Sequence, residues 1–143
     1  MKEFSRAERV AEQVKSELAS ALLRHVDDPR LQQVTLMAVQ MPDGLELARI
    51  FWLPLNLDEE LSEREKKRIN RAFENATPFL RTHLGKKLPL RIVPELRFEF
   101  DEASERGRKM ENLLRQVRAD DAKNYPDLVN ETFDDPDEDL EQE

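Results

Sequence analysis

The feature that most constrains the fold is a helical pattern that runs straight through a proline. Ser62 and Glu65 form a Ser-x-x-Glu capping box, which marks the start of a helix. A proline inside a helix removes one hydrogen bond and costs about 3 kcal/mol. The pattern therefore predicts helix, kink, helix, with one helix ending near Ala76 and Thr77 capping a second that starts at Pro78. The apolar positions keep their helical phase across the proline: Ile69, Ala72, Phe73, Ala76, Phe79, Leu80, Leu84 and Leu88.

The segment before this pattern predicts one helix and a β-hairpin. Ser5 and Glu8 form another capping box, and an apolar stripe follows it as far as Val26. Residues 33–41 and 45–55 are rich in β-branched and apolar side chains. A Pro-Asp-Gly turn signal separates them, so we expect an antiparallel pair of strands.

A third strand and a last helix complete the predicted fold. Residues 90–100 alternate apolar and charged side chains, and Pro94 places this strand at a sheet edge or at a bulge. Residues 104–118 carry a helical apolar stripe. A long helical crossover joins the second and third strands, so these two should run parallel. The fold class that follows is α+β, a small three-stranded mixed sheet with helices packed on one face.

Charge is distributed unevenly along the chain. The formal net charge is −8, yet residues 119–143 alone hold eleven acidic residues and a single lysine, a net of −10. Residues 64–91 hold nine Lys or Arg and two Glu, a net of +7. We therefore expect a domain over residues 1–118 with a basic surface. We expect residues 119–143 to form an acidic, disordered tail, because this segment cannot bury enough apolar surface to become ordered.

The residue inventory argues against an enzyme. There are no cysteines, and the three glycines cannot assemble a phosphate-cradling loop. Neither of the two histidines has a partner at metal-ligand spacing. We expect no catalytic residues, no metal, no cofactor and no small-molecule substrate. The chain also lacks a secretory signal and a membrane-spanning run, which fits a cytoplasmic protein. Nothing suggests more than a monomer.

The basic residues on either side of the proline predict a phosphate-binding surface. Like charges at helical spacing cost stability unless a partner compensates them, and here they are nearly unopposed. One alternative is an ordinary solvated helix face, and another is an adaptor that docks an acidic protein partner without contacting RNA. The side chains concerned are Arg64, Lys66, Lys67, Arg68, Arg71, Arg81, Lys86, Lys87 and Arg91.

Together these segments resemble the ribosome-binding factor A family. The similarity begins at EFSRAERV, passes through DDPRL, is strongest over FLRTHLGKKLPLRIVPELRFEFD and continues in ERGRKMENLL, so it covers about residues 1–118. The resemblance implies a KH-like fold of the second type, in which a helix-kink-helix replaces the GxxG turn. The kink alanine of the family falls on Ala76, and Pro78 stands where the family usually has glycine.

The resemblance also implies a function. Members bind the immature 30S subunit and its 16S rRNA, assist late maturation and processing of the 5′ end, and matter for growth in the cold. They are not enzymes and need no cofactor. We expect the kink to let the two helix ends converge on RNA, and the acidic tail either to solubilise the protein or to screen its basic face from the wrong RNA. The basic positions of the family fall on Arg6, Arg9, Arg81, Lys86 and Arg91.

Overall fold

A computed structural model describes residues 5–42 and 44–124 of the chain. The chain divides into two compact units, one ending at Asp101 and the other beginning at Glu102. The part of the predicted acidic tail that follows position 124 lies outside the described residues. Its boundary with the domain, at residue 118, stays a prediction. In chain order the elements are α1 (Arg6–Arg24), β1 (Val34–Gln40), β2 (Leu47–Pro54), α2 (Glu63–Lys87), β3 (Glu95–Phe100) and α3 (Glu102–Asn124).

The three strands form one mixed sheet in the order β1-β2-β3. As predicted, β1 and β2 are antiparallel, and β2 and β3 are parallel because α2 crosses between them. Gly44 in the hairpin turn has a φ of 98°, a conformation that glycine adopts at little cost. β3 begins at Glu95, later than predicted, and Pro94 lies just before it because proline donates no ladder hydrogen bond.

A β-bulge in β1 keeps that strand facing the core. Leu36 pairs with Trp52, and Ala38 already pairs with the preceding residue of β2, so the pairing skips Met37. An extra residue reverses the inward–outward alternation of a strand. Leu36 and Val39 are therefore both buried, although three positions separate them, while Met37 is exposed.

The helices α1 and α2 pack on one face of the sheet. Ala48, Ile50 and Trp52 alternate along β2 and point into the core with no exposed surface. This agrees with the predicted one-sided sandwich, since the alternation places all three side chains on the same face. The helices bury residues of the predicted stripes: Val14, Leu18, Ala21 and Leu22 from α1, and Ala72, Phe73, Leu80 and Leu84 from α2; α1 also buries Ala11, which was not predicted.

Aromatic side chains bind α2 to the sheet. The Phe73 ring stacks on Phe98 with a centroid separation of 4.1 Å, and Trp52 meets Phe100 edge-on at 5.2 Å. The Trp52 Nε1 donates to Asn70 Oδ1 at 3.0 Å. This bond satisfies the indole N–H that burial would otherwise leave unpaired.

Both helices of the first unit start at the predicted caps. The Ser5 hydroxyl accepts from the Glu8 backbone N–H at 3.1 Å, and the Ser62 hydroxyl accepts from Glu65 at 3.2 Å. Each hydroxyl satisfies one of the N–H groups that a helix leaves unpaired in its first turn.

Pro78 lies inside α2, which continues without a break on both sides of it. The predicted end of one helix near Ala76 is therefore wrong, and so is the N-cap role of Thr77. The Thr77 hydroxyl instead donates to the Phe73 carbonyl at 2.8 Å, one turn earlier in the same helix. A change of direction at Pro78 stays a prediction.

Burial on both sides of Pro78 explains why the helix continues. Phe73 precedes the proline and Leu80 and Leu84 follow it, and none of the three has any exposed surface. Burying one such side chain stabilises a fold by about 1.5–3 kcal/mol, so together they outweigh the roughly 3 kcal/mol cost of the proline. Pro78 itself is exposed, so its ring displaces no core side chain.

Some positions predicted as apolar packing positions are exposed. Phe79 is 46% exposed and Ile92 is 64% exposed. α3 extends past the predicted end at residue 118, and none of its described residues is buried. Its predicted stripe, formed by Met110, Leu113, Leu114 and Val117, is about half exposed.

Candidate nucleic-acid interface

Of the basic side chains predicted to form the phosphate-binding surface, all except the half-buried Lys66 are exposed. A side chain must be exposed to neutralise a phosphate. This requirement is met both by the positions predicted from the charge pattern and by those predicted from the family resemblance. The residues are Arg6, Arg9, Arg64, Lys67, Arg68, Arg71, Arg81, Lys86, Lys87 and Arg91.

The first half of α2 carries four of these cations on its solvent side. Arg64, Lys67, Arg68 and Arg71, which we call the α2 patch, follow each other at helical spacing. At 100° per residue they fall within an arc of about 100°, opposite the buried Phe73. The local sequence thus fixes a basic outer face and an apolar inner face on one helix.

Lys66 lies among these residues but does not belong to the patch. Its Nζ lies 3.2 Å from Glu63 Oε1 and 4.2 Å from the centroid of the Phe100 ring. An ammonium over an aromatic face is held by the ring quadrupole. Lys66 therefore helps to attach α2 to β3, a role that charge counting does not reveal.

One carboxylate lies near the α2 patch. Asp28 accepts hydrogen bonds from Arg30 Nε at 3.1 Å and Nη2 at 2.8 Å. These bonds, together with a smaller contribution from the charge of Arg68, hold the pKa of Asp28 below its usual value. Asp28 is therefore ionised at neutral pH and already engaged by Arg30, so it offsets only part of the positive charge of the patch.

A second basic group lies at the end of the sheet where β2 and β3 begin. Arg6 and Arg91 line one open depression of about 750 Å³, whose walls include Ser5 and the exposed Ile92. The depression also meets the N-terminus of α1, where unpaired N–H groups favour anions. Lys86 and Lys87 close α2 at this end of the sheet, and Arg9 lies one turn further along α1. We call Arg6, Arg9, Lys86, Lys87 and Arg91 the sheet-end cluster.

The two groups occupy separate parts of the surface. Lys86 follows Arg71 by fifteen positions of continuous helix, which places their backbones about 22 Å apart. The basic residues before and after Pro78 therefore do not converge at a break in the helix, in contrast to our expectation. They form two sites of positive charge along one helix.

Arg81 has a structural role in addition to its charge. Its Nε donates to the Pro94 carbonyl at 3.1 Å and its Nη2 donates to the Val93 carbonyl at 3.0 Å. These bonds hold the segment before β3 against α2. This role of Arg81 could not be predicted from the sequence, because nothing in a single sequence shows that the two segments meet.

The histidines do not form a metal site. His83 Nε2 lies 3.2 Å from Glu17 Oε2, and its ring centroid lies 5.7 Å from that of His25. Within residues 5–42 and 44–124, no three His, Asp or Glu side chains are grouped so that they could hold a metal ion. His83 of α2 is packed against α1 through this contact with Glu17.

The helix–strand–strand–helix–strand order, the mixed sheet and the exposed basic groups define a small α+β protein of the KH-like class. Among its described helices, none is sufficiently long and apolar for a membrane span. A family model for ribosome-binding factor A matches residues 6–114. The chain belongs to the ribosome-binding factor A family.

Similar proteins support this assignment. A ribosome-binding factor A from Desulfatibacillum aliphaticivorans is 35% identical over 89% of this chain and 99% of its own length. One from Aromatoleum aromaticum is 40% identical over 88% of this chain and 96% of its own length. The family resemblance inferred from the sequence is thereby confirmed.

Solved structures support the fold. The crystal structure of ribosome-binding factor A from Thermus thermophilus has a TM-score of 0.55 and 22% identity, covering 66% of this chain and 93% of the other. A Thermotoga maritima protein solved by NMR has a TM-score of 0.57 and 26% identity over 69% of this chain and 90% of its own. A Thermus thermophilus ribosome binding factor A homology model, fitted into a map of a 30S complex, has a TM-score of 0.52 and 24% identity. The match covers 68% of this chain and 97% of the other.

Proposed function

We propose that this protein binds the immature 30S subunit through 16S rRNA and assists late maturation, including processing of the 5′ end. It acts in the cytoplasm as a monomer, without a cofactor, and matters most for growth in the cold. The observation that carries the proposal is the pair of exposed basic groups, the α2 patch and the sheet-end cluster. The fit of a Thermus thermophilus relative into a map of a 30S complex supports it.

The geometry supports recognition of phosphates and RNA shape. Two basic groups whose members on α2 lie about 22 Å apart along one continuous helix can contact two separate stretches of RNA backbone. Such contacts fix the orientation of a protein on folded RNA without reading its bases. The protein would then stabilise an arrangement of rRNA strands in the maturing subunit, and other factors would carry out the cleavage.

Sedimentation of lysate through a sucrose gradient, with the protein followed by immunoblot, tests the binding. We expect the protein to travel with free small subunits at low salt and to be released at high salt. With purified subunits, the logarithm of the affinity should fall with the logarithm of the salt concentration, with a slope of roughly −0.7 to −0.9 per phosphate contacted. A flat salt dependence would contradict the proposal.

Charge-reversal variants localise the interaction. Arg68→Glu with Arg71→Glu tests the α2 patch, and Arg6→Glu with Arg91→Glu tests the sheet-end cluster. Arg81 is unsuitable because it also binds backbone carbonyls. Arg106→Glu with Arg115→Glu, at exposed positions of α3, controls for the change in net charge. Each double variant should weaken binding and reduce the salt slope, whereas the control should not.

Two further results would redirect the proposal. Binding that survives ribonuclease and transfers to a purified protein would indicate an adaptor for an acidic partner. The maturation role is tested by primer extension on 16S rRNA from cells that lack the protein, grown at low temperature. We expect unprocessed 5′ ends to accumulate, and normal ends would argue against a role in processing.

A further inference from the structure

Phe79 is an exposed aromatic side chain in the middle of a basic helix. It has 46% of its surface exposed, although its neighbour Leu80 is fully buried. Single exposed apolar residues are common on protein surfaces and need no special explanation. The neighbours of Phe79 on α2 give this one a different significance.

The ring lies in line with two cations. Phe79 comes eleven residues after Arg68 and seven residues before Lys86, so the three side chains project within about 20° of each other around an ideal helix. Along the axis, Arg68 is about 16 Å to one side of Phe79 and Lys86 about 10 Å to the other. Between Lys66 and Lys87 the only acidic residue is Glu74, which projects about 140° away.

The ring is also supported from one side. The His83 ring lies one turn further along α2, and its centroid is 6.2 Å from that of Phe79, within the usual range for aromatic pairs. His83 is itself fixed, because its side chain is only 9% exposed and its Nε2 lies 3.2 Å from Glu17 Oε2. Phe79 is therefore held at its base while much of its ring faces solvent.

We propose that Phe79 is a stacking platform for one unpaired nucleotide of the bound RNA, and that backbone phosphates of the same RNA contact Arg68 and Lys86. The inference rests on the proposed RNA-binding function and adds a ligand class to it. Aromatic rings interleaved with cations suit an unpaired strand, because every base has a face that can stack and every nucleotide carries a phosphate. A fully paired helix keeps its bases stacked inside and offers nothing to the ring.

Two RNA hairpins test the proposal, one with a single bulged adenosine and one that is fully paired but otherwise identical. Phe79→Ala should weaken binding to the bulged hairpin by about 5- to 150-fold, and leave the paired hairpin nearly unaffected. Phe79→Leu keeps an apolar side chain and should lose affinity in the same way, whereas Phe79→Tyr should retain it. Leu23→Ala, at an exposed apolar position of α1, is the matched control and should change neither affinity.

A spectroscopic signal reports the stacking directly. Trp52 is the only native tryptophan and is buried in the core, so Phe79→Trp adds one exposed indole. Its fluorescence should be quenched by the bulged hairpin and not by the paired one. Urea denaturation of each variant shows that the fold is retained.

The outcomes separate this inference from the function on which it rests. An unchanged affinity of Phe79→Ala for the bulged hairpin, an equal loss of its affinity for both hairpins, or full affinity in Phe79→Leu overturns the stacking platform. If Arg68→Glu weakens both hairpins while Phe79→Ala weakens neither, the inference fails and the RNA-binding function stands. If Arg68→Glu changes nothing either, the proposed function fails as well. The inference is also overturned if Phe79→Ala no longer binds a purified ribosomal protein while its affinity for RNA is unchanged.

Discussion

Replacing Pro78 should make this protein more stable, because the proline sits inside a continuous helix. Alanine restores the N–H that can donate to the carbonyl of Glu74, one turn earlier. Proline in a helix interior is about 3 kcal/mol less favourable than alanine. Losing the proline also frees the unfolded chain, which offsets the gain by about 0.4–1 kcal/mol. Pro78 is exposed, so no core contact is lost.

The expected net effect of Pro78→Ala is therefore a gain of about 2 kcal/mol in the free energy of unfolding. For a chain of this size that corresponds to a rise in Tm of roughly 4–8 °C. Urea denaturation followed by far-UV circular dichroism measures it, with the denaturant slope checked for constancy. Pro89→Ala is the matched control. Pro89 is exposed in the segment after α2, so its replacement should lower stability by about 0.4–1 kcal/mol.

A lower urea midpoint for Pro78→Ala would refute this reasoning. It would mean that the two halves of α2 pack on the sheet only when the proline bends the helix between them. The core side chains on either side, Phe73 and Leu80, would then depend on that bend for their burial. The proline would in that case be a requirement of the fold, and not a tolerated cost.

Three further changes test other parts of the fold. Trp52→Phe should cost about 2 kcal/mol or more in urea denaturation, since it removes the indole donor to Asn70 and leaves a cavity. The hydrogen bond from Arg49 lowers the pKa of Glu99 in the folded protein below its ordinary value of 4.5. The ionised Glu99 therefore stabilises the fold at pH values above 4.5, and this contribution is lost as the pH falls through the lower folded-state pKa. Glu99→Gln should therefore be less stable at neutral pH and lose less stability between about pH 6 and pH 3. Deleting Met37 removes the bulge but leaves Leu36 opposite Trp52 and Val39 opposite Ile50, so both still face the core and the variant should retain cooperative unfolding.

Each of these three has a result that would contradict it. An unchanged urea midpoint in Trp52→Phe would show that the Asn70 contact contributes nothing in solution. If the stability of Glu99→Gln fell with pH in parallel with that of the wild type, the ion pair between Arg49 and Glu99 would not contribute to the stability of the sheet. A deletion of Met37 that abolishes cooperative unfolding would mean that the bulge itself is required by the fold. Substitution of Met37 by Ala, which keeps the bulge, is the control and should be well tolerated.

Local signals in the sequence were sufficient for much of the fold. Ser5 and Ser62 mark helix starts because their side chains satisfy N–H groups of their own first turn. The long crossover between β2 and β3 allows only parallel pairing at a neighbouring position, so the topology also followed. These features depend on short-range geometry, which the sequence specifies directly.

The errors arose where distant segments decide the outcome. The break at Pro78 was predicted from a local cost, but burial of Phe73 and Leu80 against the sheet outweighs that cost. The sequence pattern places Phe79 in the apolar stripe, because a helical period alone does not separate a buried position from an exposed one at the edge of the stripe. The bonds from Arg81 to the segment before β3 join residues that the sequence separates. Ten exposed cations were predicted, but their division into two groups needed the continuous helix.

The parallel pairing of β2 with β3 sets a minimum time for this protein to fold as it is synthesised. Leu47 pairs with Glu95, so the sheet cannot close until the whole of α2 has been made. At bacterial elongation rates of about 5–20 residues per second, that interval lasts roughly 2–10 s. During it, Ile50 and Trp52 belong to a hairpin whose core face α2 has not yet covered. A ribosome-binding factor therefore spends its first seconds as an unfinished sheet beside the ribosome that makes it, until β3, the last strand of that sheet, follows the basic helix α2 into the fold.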